Sequence, residues 1–309
     1  PSSPGRRNGD PTPCLRGPAW PASRAPPAAP HATHYYVPQP SLYPIFLSAG
    51  MFLLALGFIL LMNKFAPGPW VMGTGTAVII FVLFKWFGAV IAENQRGDYT
   101  DWEDKSFRQG MVWFIFSEVM FFAAFFGALF YCRVISVPAL AGMDPAFTLY
   151  EGFTAAWPTS GPKGASFTPM GAWGVPAINT ALLLTSGVTL TWAHWGLMKG
   201  KRSQLNLGLI LTVLLGVIFL GFQAWEYHHA YTELGLTMGA GVYGATFFML
   251  TGFHGFHVTL GAIMLAVVAG RCLSGHFDAK RHFAFEAVAW YWHFVDVVWL
   301  LLFVVVYWL

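Results

Sequence analysis

Charged residues are scarce in this chain. Asp, Glu, Lys and Arg make up 10% of its 309 residues, where soluble domains carry about 25%. Apolar residues reach 56%, and the mean hydropathy is +0.55. That balance excludes a water-facing globular surface. Cysteine is rarer still: Cys14, Cys132 and Cys272 stand alone, with no CxxC pair. Neither a disulfide framework nor a cysteine zinc site follows from them. There is no glycine-rich phosphate loop, no nucleotide-binding fingerprint and no nucleophile–base signature, so the chain carries no recognisable catalytic motif. The net charge is only +3, and the basic residues are scattered between apolar segments. They read as topology-setting loop charge, and no nucleic acid is expected as a partner.

What the sequence has instead is hydrophobic length. A bilayer core of about 30 Å needs about 20 apolar residues in a helix, and seven stretches satisfy this. They run roughly over 42–62, 70–92, 110–136, 178–198, 206–229, 240–269 and 283–309. Breaks are expected at Asn63 to Pro69, the charged run Glu93 to Arg108, Lys199 to Arg202, and Ser274 to Lys280. The segment from Val137 to Ala177 holds Pro138, Pro145, Pro158, Pro162, Pro169 and Pro176. It reads as a long loop packed on a partner or on the domain's own surface. Residues 1–34 are rich in Pro and Arg and lack the apolar core of a signal peptide, so a disordered tail is expected there. The membrane domain is expected over 35–309.

Loop charge predicts orientation. Arg6, Arg7, Arg16, Arg24, Arg96, Lys105, Arg108, Lys199, Lys201, Arg202, Arg271, Lys280 and Arg281 fall on the N-terminal side, and Lys64, Arg133 and Lys163 on the other. Thirteen against three places the N-terminus in the cytoplasm or matrix and the C-terminus outside.

Polar groups inside the spans are the candidate functional residues, because intramembrane ionisable groups face protein or water-filled space. Glu118 lies near the middle of MVWFIFSEVMFFAAFFGALF. It reads either as a structural carboxyl bonded to a neighbouring helix or as a proton-handling or lipid-contacting one. Glu226 and His229 form a Glu-x-x-His pair, but a di-iron bundle needs two such pairs, and no second exists. His254 and His257 share a face in GFHGFH, where Gly252, Gly255 and Gly261 favour close packing with interhelical hydrogen bonds over metal binding. In the last span, Glu286, His293 and Asp296 are buried candidates. His293 and Asp296, three apart, are expected to satisfy one another through a charge-assisted hydrogen bond. No metal site is expected.

Several blocks are diagnostic. SEVMFF around Glu118, PAINTALLLTSGVTLTWAH from Pro176, FQAWEY around Glu226, YGATFFMLTGFHGFHV from Tyr243 and FEAVAWYWHFVDVVWL from Phe285 resemble, in order, subunit III of cytochrome c oxidase. The resemblance spans Tyr35 to Leu309. It implies an all-α integral membrane fold of seven transmembrane helices in a V-shaped two-plus-five arrangement, the first arm over 42–92 and the second over 110–309. It implies a non-redox structural and regulatory subunit of an aa3-type, proton-pumping oxidase. No cofactor belongs to the chain, and haem a, haem a3 and copper reside in partner subunits I and II. Phospholipid in the cleft and cytochrome c, acting through the complex, complete the expected partners. By the match of motifs, Glu118 is the family's buried SEV glutamate, and Arg108, Arg271 and His276 are basic positions that hold lipid headgroups. The family role implied is support of proton uptake and turnover stability in subunit I; the acidic residues of the Glu93 to Asp104 loop are our own expectation for collecting protons at that face.

Two departures stand out. The family's loop histidine is replaced in RGDYT by Tyr99, and its WAHH reads Trp192-Ala193-His194-Trp195, one imidazole short, which argues against a metal there. The localisation implied is the bacterial inner membrane, or the mitochondrial one in a eukaryote. The rival readings are subunit III of a quinol oxidase, whose relatives have five spans, and a proton-coupled transporter, which would show repeated halves.

Overall fold

The computed structural model describes residues 40–142, 150, 152–279 and 281–308. The expected tail over 1–34 lies outside the described residues. Among these residues the structure is helical, with no strand. Seven helical segments are long and apolar enough to cross a membrane. They comprise α1 (Tyr43–Met62), α2 (Gly68–Arg96), α3 (Asp101–Phe130), α5 (Val175–Met198), α6 (Arg202–Thr232), α7 (Val242–Leu273) and α8 (Phe283–Leu302). Beyond α3 the helix widens into a π-helical turn, Tyr131–Ser136, and closes with the short α4 (Val137–Leu140). The Val137 N–H reaches back five residues to the Cys132 carbonyl. Pro138 follows and has no N–H to donate, so the regular ladder cannot run through it.

The two-plus-five grouping is present. The extensive contacts of α1 and α2 are with one another, and nothing comparable joins that pair to the other helices. Their closeness rests on glycine. A Cβ on Gly57 would lie 2.2 Å from the Met72 backbone N, and one on Gly75 would lie 2.4 Å from the Leu54 N. Only hydrogen fits there, as in other small-residue helix contacts in membranes. Most other side chains of this hairpin face outward, including Phe46, Phe52, Trp70, Phe81 and Phe84, which suits helices solvated by acyl chains.

The second group winds around α8. Helices α5 and α6 pack along their length, α6 contacts α7, α7 contacts α8, and α3 lies against α7 and α8. Trp292 is fully buried at the centre. Its indole N–H donates to Ser186 Oγ at 2.8 Å. The ring is wedged where a Cβ on Gly216 or Gly261 would come within 2.7 or 2.8 Å of it.

One expectation is corrected. The charged run Glu93 to Arg108 is not a loop: α2 continues to Arg96 and α3 starts at Asp101, leaving Gly97 to Thr100 as the break. Gly97 ends α2 at φ +80°, a conformation suited to glycine. Thr100 starts α3 with a capping box: its Oγ1 accepts from the Trp102 N–H at 3.3 Å, and its own N–H donates to Glu103 Oε2 at 2.8 Å. These caps outweigh the local polarity. The described residues of the segment after α4 pack on the chain itself, one of the two arrangements expected for it. Thr168 N–H donates to the Leu234 carbonyl at 2.9 Å, Tyr243 N–H donates to the Thr159 carbonyl at 3.2 Å, and Phe167 stacks on Tyr243.

Candidate functional site

Successive helices alternate in direction, so the C-terminal ends of α2, α5 and α7 lie with the N-terminal ends of α3, α6 and α8. Contacts join them: Arg108 of α3 pairs with Glu286 of α8, and Arg202 of α6 donates to the Phe277 carbonyl at 2.8 Å. Arg96, Lys105, Lys199, Lys201, Arg271 and Arg281 belong to the same face by their positions in these ends.

Glu286 is the hub of this face. One oxygen, Oε2, accepts from Arg108, whose Nε also donates to Asp104 at 2.7 Å. The Arg108 guanidinium further lies 5.5 Å from the Phe283 ring centroid. The other oxygen, Oε1, faces His282 Nε2 at 3.1 Å and His194 Nε2 at 3.7 Å. The first of these partners comes from the same helix turn and the second from α5. His282 Nδ1 lies 3.1 Å from the Asp278 carbonyl. A carbonyl oxygen offers only lone pairs, so Nδ1 carries the hydrogen. The His194 Nε2 is buried without a hydrogen-bond partner.

Deeper in the bundle, Glu118 of α3 meets His257 of α7, with Oε2 2.8 Å from Nε2. His257 Nδ1 lies 2.6 Å from the Phe253 carbonyl, so that nitrogen is also a donor. One further proton then lies between Glu118 and His257, held by the carboxyl or by the imidazole. His254, one turn before, is fully buried with neither ring nitrogen bonded, and its ring lies against Trp299. The two histidines of GFHGFH therefore differ: one makes the interhelical bond and the other packs.

The remaining carboxylates separate. Glu226 Oε1 accepts from the Tyr307 hydroxyl at 2.7 Å, while its Oε2 is unpaired. His229 turns instead to Glu233 at 3.1 Å and stacks on Trp225. The expected His293–Asp296 hydrogen bond is absent. Nδ1 and Oδ2 stand 3.7 Å apart, and Asp296 Oδ1 is buried without a partner. His293 Nε2 reaches Thr191 Oγ1 at 3.4 Å.

Arg271 near the end of α7 lies over the Phe277 ring at 4.4 Å, and its Nε and Nη2 are buried with no hydrogen-bond partner. His276 beside it is exposed. An apolar groove of about 800 Å³ runs between α3 and α8 past Phe122, Phe126, Leu129, Val298 and Leu301. Arg133 is its one charged lining residue among those described.

His194 entered the sequence analysis only as the remaining imidazole of a shortened WAHH block, with a metal argued against there, and His282 was not singled out. The signal for the second was the His282-x-x-x-Glu286 spacing, which stacks both side chains on one helical face. Nothing in the sequence tied His194 to them.

The chain is similar to known proteins over nearly its whole length. The family model described as cytochrome c oxidase subunit III matches residues 31–309. The "Cytochrome c oxidase subunit 3" of Marchantia polymorpha is 42% identical over 275 residues, covering 89% of this chain and 96% of that protein. The protein of the same name from Branchiostoma lanceolatum is 42% identical over 280 residues, covering 90% and 97%. That of Rattus norvegicus is 40% identical over 280 residues, covering 90% and 98%.

Proposed function

The chain belongs to the cytochrome c oxidase subunit III family, and we propose that it serves there as the non-redox subunit that shelters and supplies subunit I. Haem a, haem a3 and copper reside in subunits I and II, and this chain contributes packing, lipid and surface charge. The observation that carries the reading is the match of residues 31–309 to the subunit III family, in a chain whose described intramembrane carboxylates are engaged within its own bundle. Its intramembrane carboxylates are answered by a histidine at Glu118 and a tyrosine at Glu226, or stand against helix backbone as Asp296 does beside Gly187.

Lipid is the second element. The α3–α8 groove has the apolar lining that an acyl chain requires, and phosphate headgroups bind Arg271 and His276. The unanswered N–H groups of Arg271 supply charge-assisted donors to phosphate, and basic pockets at a membrane face suit anionic lipids. Arg108 is more constrained, because Asp104 and Glu286 already engage it. It contributes positive charge at the headgroup level.

Proton supply is the third. The face carrying Asp98, Asp101, Glu103 and Asp104 is the cytoplasmic or matrix side, with the N-terminus there and the C-terminus outside. Three of these carboxylates have other duties: Asp98 pairs with Arg96, Asp104 with Arg108, and Glu103 caps α3. The exposed Asp101 is left as the principal collector.

The native complex, isolated through a tag on this chain, tests the reading by its reduced-minus-oxidised visible spectrum and its phospholipid content. Haem a bands and a lower anionic lipid count in Arg271→Gln are expected. Bands of b and o type alone would move the chain to a quinol oxidase. A stable colourless complex would overturn the oxidase reading, and unchanged lipid content would overturn the Arg271 assignment.

A further inference from the structure

We propose that His194, His282 and Glu286 form a reversible binding site for a divalent transition metal of the zinc class, clamping α5 to α8 at the basic face of the bundle. One ligand atom from each of His194, His282 and Glu286 lies within 4.8 Å of the other two. Tetrahedral zinc binds nitrogen and carboxylate oxygen at about 2.0–2.2 Å, which puts neighbouring ligand atoms about 3.4 Å apart. Glu286 Oε1 stands 3.1 Å from one imidazole nitrogen and 3.7 Å from the other. Those two separations need shifts of a few tenths of an ångström, and the separation of the two imidazole ligand atoms, within 4.8 Å, closes by up to about 1.4 Å on binding.

The hydrogen-bond geometry leaves a place for a cation at this point. His282 Nδ1 donates to the Asp278 carbonyl, so in the neutral ring Nε2 presents a lone pair to a carboxylate oxygen. Two acceptors at 3.1 Å repel unless positive charge lies between them. A proton on His282 would satisfy that contact but leave His194 Nε2 buried and unanswered. A metal ion satisfies all three atoms together.

The surroundings are those of a supported ligand set. The Asp278 carbonyl fixes the His282 tautomer, and Arg108 holds the second Glu286 oxygen, so the carboxylate offers one oxygen in a set direction. Such outer partners orient metal ligands and raise their affinity. Two imidazoles and a carboxylate favour zinc, copper or nickel over magnesium or calcium. The His194 side chain is 31% exposed, which gives an entry path and room for water as the fourth ligand. Arg108 opposes a second positive charge nearby, with Asp104 beside it as counterion. That opposition makes the site reversible rather than a permanent structural centre. Binding transfers any proton held on His282 Nε2 to solvent, as metal binding to histidine does. Because Glu286 also joins α3 through Arg108, an occupied site links three helices of the five-helix group.

Zinc chloride alone, in equilibrium dialysis against the purified chelator-treated complex, provides the test. The wild type is expected to bind one zinc ion more per complex than His194→Ala, at a site at least tenfold tighter than anything His194→Ala retains there. Identical isotherms overturn the proposal. Wild-type protein alone gives an independent reading through diethyl pyrocarbonate labelling followed by mass spectrometry. Zinc is expected to protect His194 and His282 at least tenfold while the exposed His276 is modified as before. Equal modification with and without zinc overturns the site, and equal protection by magnesium chloride overturns the transition-metal assignment.

Discussion

Glu118 and His257 provide a direct measure of how much one shared proton between helices is worth. Removing Glu118 alone, as Glu118→Leu, strands a histidine nitrogen whose side chain is 8% exposed. In a soluble core an orphaned polar atom costs about 1–3 kcal/mol, and breaking a buried ion pair costs about 3–5 kcal/mol. The membrane lowers both figures. Polar groups released in a bilayer find other partners, and interhelical hydrogen bonds there average about 0.6 kcal/mol with a maximum near 1.7. Glu118, 21% exposed, has room to find such a partner. Because the contact is short at 2.8 Å and carries a shared proton, the coupling is expected near the upper limit, about 1.5 kcal/mol. The double variant Glu118→Leu with His257→Phe removes both members and should therefore lose less stability than the two single losses added together. Dodecyl sulfate titration of the purified complex, followed by helicity, measures all four corners of the cycle. A coupling below about 0.5 kcal/mol, within the error of additivity, would refute a shared proton as the bond between α3 and α7.

Three further outcomes follow from the packing. Gly261→Ala places a methyl group 2.8 Å from the Trp292 ring and should cost about 1–3 kcal/mol; Trp292→Leu in the same chain should recover part of that loss, and a purely additive result would show that the ring is not the obstacle. Thr100→Ala removes the α3 cap and should cost about 1 kcal/mol, read as faster hydrogen exchange at the Trp102 and Glu103 amides with no change at α7. Tyr307→Phe deletes the one hydrogen bond to Glu226 Oε1 and should cost about 1 kcal/mol, seen as an earlier thermal transition; an unchanged transition would mean that Glu226 is satisfied by another group.

The sequence reading and the structure part company at identifiable residues. Helix ends were misjudged where charge was taken to mean loop: Asp101 to Arg108 are polar yet helical, because Thr100 and Glu103 cap the turn. The Thr-x-x-Glu signature was legible there. His293 and Asp296 have the right spacing for a mutual bond, yet spacing says nothing of rotamer, and the two groups stand 3.7 Å apart.

Sequence by itself determined the membrane class, the seven spans and the residues whose burial needs an explanation, because hydrophobic length and the cost of an isolated charge in a bilayer are properties of local composition. It also determined family membership through ordered blocks of residues. Tertiary structure alone decided which polar groups answer one another. Glu118 lies 139 positions from His257, and Arg108 lies 178 from Glu286. No local periodicity spans such distances. Helix packing brings α3, α5, α7 and α8 together, turns one imidazole toward a carboxylate and another into apolar surroundings, and so converts a scatter of buried polar residues into sites.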